Sequence, residues 1–517
     1  MTRVPLAVLV ACCCFAQQPA TFKIAGHVVR HPGERPIRGA KVSITMVQDR
    51  QRQLSAVNGE NGEFLFYGLP QAKYQLRVEY RGAGQFFHEL EGYSTAIAVG
   101  PNIDSEHIVF PFDTGASING TLVDEVGDPV PGATVYLFAK TVSRGFYQTA
   151  AAGQSNTTSS GTFHFGHLAP GTYYVAAAGR PWYARNPIGD QPQIAVSPEL
   201  YVAFPLTYYA DGTTPEAATP LTLEEGAKTE IQMTLRAVPA VHISLDGFEE
   251  NQQVQTSLFQ TGPGGTHINV VGTFGINGMA AVAPGNYEIS ANALSQNQWS
   301  EIGSQAIKAE GDSTFHLGDS IKTSVTGKVA LAGALPSALN VWLGNTANGN
   351  IIWLPIAKDG SFNSSQVSPG HYSLLMGNTN EFYIQKLKVE GAPFSNGVLE
   401  VANGAQINLD ITAAKGMTNI DGIAMDGKSP VAGAIILAIP QDQIRAKYIP
   451  RDQSDSDGTF TLAELPPGRY TIVAVQDGRN LAYAEPGVIT PYLAGGQVVD
   501  VPLAKDSKLE IQVQPRR

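Results

Sequence analysis

His31-Pro32-Gly33-Glu34 has the His-x-x-Glu spacing with which many hydrolases hold zinc, and His164 stands downstream as a third donor. The chain's own repetition argues against that chemistry. When Gly39-Ala40 is set against Gly132-Ala133, His31 falls opposite Asp124 and Glu34 opposite Gly127, in a plain turn between the first two strands of a unit. A turn histidine is the reading, and neither a metal ion nor another cofactor is expected.

Gln453, Asp455 and Asp457, with glycine sixth at Gly458 and glutamate twelfth at Glu464, follow the spacing of a calcium loop. Glutamine replaces the first carboxylate, and the ninth to eleventh positions continue a strand where such a loop would start a helix, so calcium is not expected. No Gly-x-Ser-x-Gly elbow occurs, and no Ser, His and Asp set stands out as a triad. The sequence therefore predicts a non-enzymatic protein without catalytic residues.

A third group is aromatic. Between Arg180 and Pro220 lie Trp182, Tyr183, Tyr201, Phe204, Tyr208 and Tyr209, with few charges. Flat rings stack on the apolar faces of sugars, and they also cover core edges and domain joints. Trp182, Tyr183, Tyr208 and Tyr209 are the candidate ligand-binding residues, with a polysaccharide or an extracellular protein as partner.

The elements that position these residues come from one repeated stretch, seen most fully at Asp457-Gly458-Thr459-Phe460-Thr461-Leu462-Ala463-Glu464-Leu465-Pro466-Pro467-Gly468-Arg469-Tyr470. Asp-Gly makes a tight turn, Phe460 and Leu462 alternate with polar residues as in a half-buried strand, and Pro-Gly turns the chain into a second strand. Gly62 and Tyr74, Gly161 and Tyr173, Gly360 and Tyr372, and Gly458 and Tyr470 keep the same interval; a worn copy ends at Pro284-Gly285-Asn286-Tyr287. Spacing near one hundred residues suits one small β-sandwich per copy. The predicted units are 22–113, 117–236 with the aromatic insertion 180–220, a divergent 239–319, 323–413 and 419–514. Linkers of a few residues predict a semi-rigid string of such domains.

Composition agrees with an all-β chain: 517 residues contain 54 Gly, 33 Pro and only 15% charged residues. A net charge of -11 without a basic stripe excludes nucleic-acid binding as the main task. Arg3 followed by the apolar run Val4 to Phe15 and Ala16 reads as a secretory signal peptide over 1–16, and Leu9-Val10-Ala11-Cys12 offers a lipoprotein alternative anchored through Cys12. All three cysteines lie there, so each sandwich must be held by its core and its ladders; no later run approaches membrane-spanning length. A secreted, extracellular or periplasmic location is expected.

The opening Ile/Val-x-Gly-x-Val pattern, the Pro-Val-x-Gly-Ala of Pro430 to Ala434, the Asp-Gly-x-Phe turn and the Leu-x-Pro-Gly-x-Tyr corner together resemble the carboxypeptidase regulatory-like domain. The resemblance implies a transthyretin-like (prealbumin-like), seven-stranded Greek-key sandwich, grouped with the carbohydrate-binding-like folds, that accompanies catalysis without performing it. Two functions follow as expectations. One is an extracellular spacer or binding module, with carbohydrate as a possible ligand class. The other is an accessory to an extracellular metallocarboxypeptidase, another hydrolase or an outer-membrane receptor system. The corner further implies that Tyr74, Tyr173, Tyr372 and Tyr470 are buried, with hydroxyls bonded to backbone just upstream.

Overall fold

The computed structural model describes residues 21–90, 92–184, 198–246, 253–274, 279–295, 298–316, 323–336, 339–364, 367–377, 381–503 and 508–517. The expected signal peptide and the Cys12 alternative lie outside them. Among the described residues strands dominate, with one short α-helix, Pro486–Leu493.

In the first sandwich one sheet orders Glu63–Leu69, Phe22–His31 and Ile108–Asp113, and the other orders Gln53–Val57, Lys41–Met46, Ala72–Tyr80 and Ala83–Phe86, with Ile97–Val99 added to Ala72–Tyr80. Alternation drives this layering. Ile24 and Val28 on one sheet meet Val42, Ile44, Leu76 and Val78 on the other, with Phe110 and Phe112 closing the core. The plan recurs along the chain, with the first and last strands of each unit paired in parallel. The pairs are Phe22–His31 with Ile108–Asp113, Ala116–Asp124 with Lys228–Leu235, Val241–Asp246 with Ser313–His316, Ser324–Leu331 with Gln406–Lys415, and Thr418–Asp426 with Leu509–Gln514. In the fifth unit Leu509–Gln514 also pairs with Gly468–Val475, so its strands join into one continuous sheet.

The repeated spelling has a steric cause. Gly62, Gly161, Gly360 and Gly458 hold φ between 72° and 86°, and a Cβ on the first three would lie 2.4 to 2.5 Å from the carbonyl oxygen of Val28, Leu122 or Val329. The tyrosines form the expected corner. Tyr74, Tyr173, Tyr372 and Tyr470 are buried, and their hydroxyls donate to the carbonyls of Pro70, Ala169, Ser368 and Pro466, each four residues upstream, at 2.7 to 3.1 Å. Tyr287 does the same to Ala283 at 2.5 Å, so the third unit keeps the corner although its Asp-Gly half is worn.

The semi-rigid string needs correction, because non-neighbouring sandwiches touch. The first packs on the fifth: Gln453 Nε2 donates to the His88 carbonyl at 2.6 Å, Arg451 to the Leu90 carbonyl at 3.1 Å, and Ala98 N–H to Ser456 Oγ at 2.8 Å. The long hairpin of Thr134–Ser143 and Phe146–Asn156 in the second reaches three others. Tyr136 Oη donates to the Asn269 carbonyl at 2.9 Å, Thr149 N–H to the Ala347 carbonyl at 3.3 Å, and the Gly145 carbonyl accepts from Ala484 N–H at 2.9 Å. The units fold back on one another, and polar groups pair across the joints.

Candidate functional site

The insertion of the second sandwich splits into an outer and an inner part. Trp182 follows the strand Gly171–Ala178 and is 75% exposed, its ring edge-on to Tyr183 at 5.8 Å between centroids. Tyr183 is fixed by its hydroxyl, which donates to Glu125 Oε1 at 2.8 Å; burial and that bond push the phenol up to about 12. Tyr208 is elsewhere. At 1% exposure it packs with Phe138, Ala176, Leu206 and Ile268, filling the seam between the second and third sandwiches. Tyr209 is half-buried against the core of the second sandwich, as is Phe204 at greater depth. Trp182 and Tyr183 therefore remain as a solvent-facing pair, while Tyr208 does structural work at a joint. Residues 185–197 of the insertion lie outside the described residues.

A second ring pair sits inside the shared frame, where the sequence predicts no site. Trp342 on Asn340–Asn345 and Trp353 on Ile351–Pro355 are directly opposite in a hairpin, with centroids 4.2 Å apart. Trp353 is 49% exposed, and Trp342 leads into a cavity of about 260 Å³ between the fourth and fifth sandwiches that is also lined by Phe382, Tyr383, Arg445 and Tyr448. Two tryptophans on facing strand positions were the available signal. A polar hollow of about 770 Å³ lies on the second sandwich, lined by Asn119, Thr121, Thr162, His164, Glu230 and Gln232.

The degenerate calcium loop is occupied by an amine. Lys73 Nζ, from the first sandwich, donates to Asp455 Oδ2 at 2.5 Å and to Thr459 Oγ1 at 2.6 Å, and stands 4.0 Å from Asp457 Oδ1. Asp455 Oδ1 accepts from Ala96 N–H at 2.9 Å, and burial holds its carboxyl above the ordinary range. Gln453 is turned to the first sandwich, bonding Thr95 Oγ1 at 2.9 Å, and the Glu464 carbonyl accepts the Tyr448 hydroxyl at 3.0 Å. A lysine charge thus stands among the carboxylates where a cation would otherwise be held.

His31 is not joined by Glu34 or His164. His164 Nδ1 bonds Asn119 Oδ1 at 2.8 Å in the second sandwich. His31 ends its strand opposite Asp113 in register, and its Nδ1 lies 3.2 Å from Asp113 Oδ1 and 2.6 Å from Glu225 Oε1. The bond to Glu225 raises the imidazole above its ordinary value. Burial and the facing Glu225 push Asp113 up to about 6, whereas Glu225, despite burial, is held low by its bonds to Asp113 and His31. Asp113 ends the last strand of the first unit, 82 positions after His31, and Glu225 comes from another unit, which is why no sequence spacing shows this group.

Residues 117–185 match the carboxypeptidase regulatory-like domain. The matched segment contains Trp182, Tyr183, the corner of Tyr173 and the Gly161 turn. No curated protein matches the chain. Among solved structures it is similar to the minor pilin GBS52 of Streptococcus agalactiae, with 15% identity over 42% of this chain and 97% of that one, at a TM-score of 0.21. It is also similar to the shaft pilin SpaA of Lactobacillus rhamnosus GG, with 11% identity over 43% and 98% at 0.21, and to the TIE protein of Bacillus anthracis, with 12% over 77% and 75% at 0.19. No helix among the described residues is long and apolar enough to cross a membrane.

Proposed function

We propose that the protein is a non-enzymatic extracellular module of tandem β-sandwiches that binds polysaccharide through Trp182 and Tyr183. The observation that supports this most is the exposed Trp182 ring set at right angles to a tyrosine whose hydroxyl is tied to Glu125. A ring held in place loses little freedom when a sugar stacks on it, and a neighbouring carboxylate can accept the sugar's hydroxyls. The regulatory-like match over the same residues favours a supporting role over a catalytic one.

Binding to a panel of immobilised polysaccharides tests the reading. Trp182→Ala is expected to abolish capture while leaving the melting temperature unchanged, because the ring contributes little to the core. Trp353→Ala is the comparison: loss of capture there alone would move the site to the fourth sandwich. Equal capture by parent and Trp182→Ala would end the proposal.

A further inference from the structure

We propose that His31, Asp113 and Glu225 form a site for a divalent metal ion of the zinc class, seated at the joint between the first and second sandwiches. This reading is independent of the carbohydrate one. Among the described residues these three side chains make the one group whose imidazole nitrogen and carboxylate oxygens all lie within 4.8 Å of one another. His31 Nδ1 carries at most one hydrogen, yet it faces two carboxylate oxygens, at 2.6 and 3.2 Å. One proton serves one of them well. A cation at the centre would serve all three donors, and metal bonds near 2.1 Å place adjacent donors about 3 Å apart.

The donors are seated on the frame. His31 and Asp113 are register partners on adjacent parallel strands, and Gln85 clamps the Asp113 main chain at both its N–H and its carbonyl, at 2.9 and 2.7 Å. Glu225 arrives from the second sandwich, next to Gly226, whose backbone runs beside the Pro32 ring. The three side chains keep 49%, 31% and 20% of their surface open, which leaves room for water in the remaining positions.

One imidazole with two carboxylates suits zinc, cobalt, nickel or manganese; calcium would ask for six or more oxygens. Arg479, in the fifth sandwich, acts on both carboxylates and opposes a cation, so it lowers the affinity of the site. The set shares only His31 with the His-x-x-Glu spelling. Its effect would be to fasten two sandwiches together.

The test uses the full chain, stripped with a chelator, dialysed, and titrated with ZnCl₂ by calorimetry and with CoCl₂ by visible absorption. One saturable equivalent is expected, with cobalt bands of a nitrogen and oxygen site. Glu225→Gln and His31→Gln should each weaken binding at least about tenfold. His107→Gln, which removes the exposed pair with Asp104, should leave it unchanged. Zinc should raise the melting temperature of the parent but not of Glu225→Gln. Absence of a saturable equivalent, or undiminished binding in Glu225→Gln, overturns the proposal; should His31→Gln fail to fold, Glu225→Gln still decides.

Discussion

The Asp-Gly turns of the fourth and fifth sandwiches are built alike and used differently. Asp359 accepts from Ser361 N–H at 3.0 Å and Ser361 Oγ at 2.7 Å, and Asp457 from Thr459 N–H at 3.1 Å and Thr459 Oγ1 at 2.6 Å. In the fourth unit the turn faces water, and the Ser361 bonds hold Asp359 below its usual value. In the fifth, the first sandwich covers the turn. The position that closes each loop makes the difference: Ala357 N–H reaches Ser361 O and Asp455 N–H reaches Thr459 O, both at 2.8 Å, but only Asp455 brings a carboxylate for Lys73. A residue outside the shared spelling decides whether the same turn is a surface or an interface.

The largest effect that would sharpen this contrast is expected from Lys73→Met, which leaves Asp455 facing the joint without its cation. Breaking a fully buried pair costs roughly 3–5 kcal/mol; with side chains 29% and 17% exposed, about 2 kcal/mol is expected here. Chemical unfolding would show the loss, and small-angle scattering would show the first sandwich leaving the fifth. Ala357→Asp in the fourth unit should change neither readout. A Lys73→Met protein as compact and stable as the parent would erase the distinction.

Next in size, Tyr470→Phe and Tyr372→Phe should each cost about 1 kcal/mol, the usual net worth of one hydrogen bond, because both corners belong to the common frame. Urea unfolding that finds one costly and the other free would break the comparison from the opposite side.

The smallest effect concerns Asp452, beside the covered turn, whose carboxyl is pushed up to about 6 by burial although it accepts Thr461 N–H at 2.7 Å. The folded state then keeps a proton that the unfolded chain releases near pH 4, so stability falls as pH rises from about 4 to about 6 and stays lower above that. Asp452→Asn removes this dependence. It should be more stable than the parent by about 0.5–1 kcal/mol at pH 7.5, after allowance for solvent screening, with the advantage gone at pH 4. Parallel unfolding curves at the two pH values would refute it.

What was legible in the sequence was local. The Gly turns require positive φ and the tyrosine hydroxyls reach back four residues, so their spacing shows directly in the chain. Contacts between the first and fifth sandwiches join residues separated by 358 to 386 positions and leave no period to read. The insertion shows the middle case: its aromatics were visible, but which ring faces water depends on the third sandwich, whose Ile268 closes over Tyr208. For His31 the sequence points to Glu34, which is near in the chain, whereas Glu225 is near in space.

The parallel pairing of first and last strands has a mechanical consequence. A chain that enters a sandwich beside the strand by which it leaves, in the same direction, is pulled at opposite ends, so tension slides the two strands lengthwise and loads their bonds together rather than one by one. Eight register pairs resist such slip in the second and fourth units, six in the first, and four in the third and fifth. Under a steady pull the contacts of the first sandwich on the fifth, and of the second sandwich's hairpin on the third, fourth and fifth, must part before the chain can lengthen. The fifth unit's last strand is held on its other side as well, by Gly468–Val475, so the third unit, whose last strand has one partner among the described residues, would give way before the others.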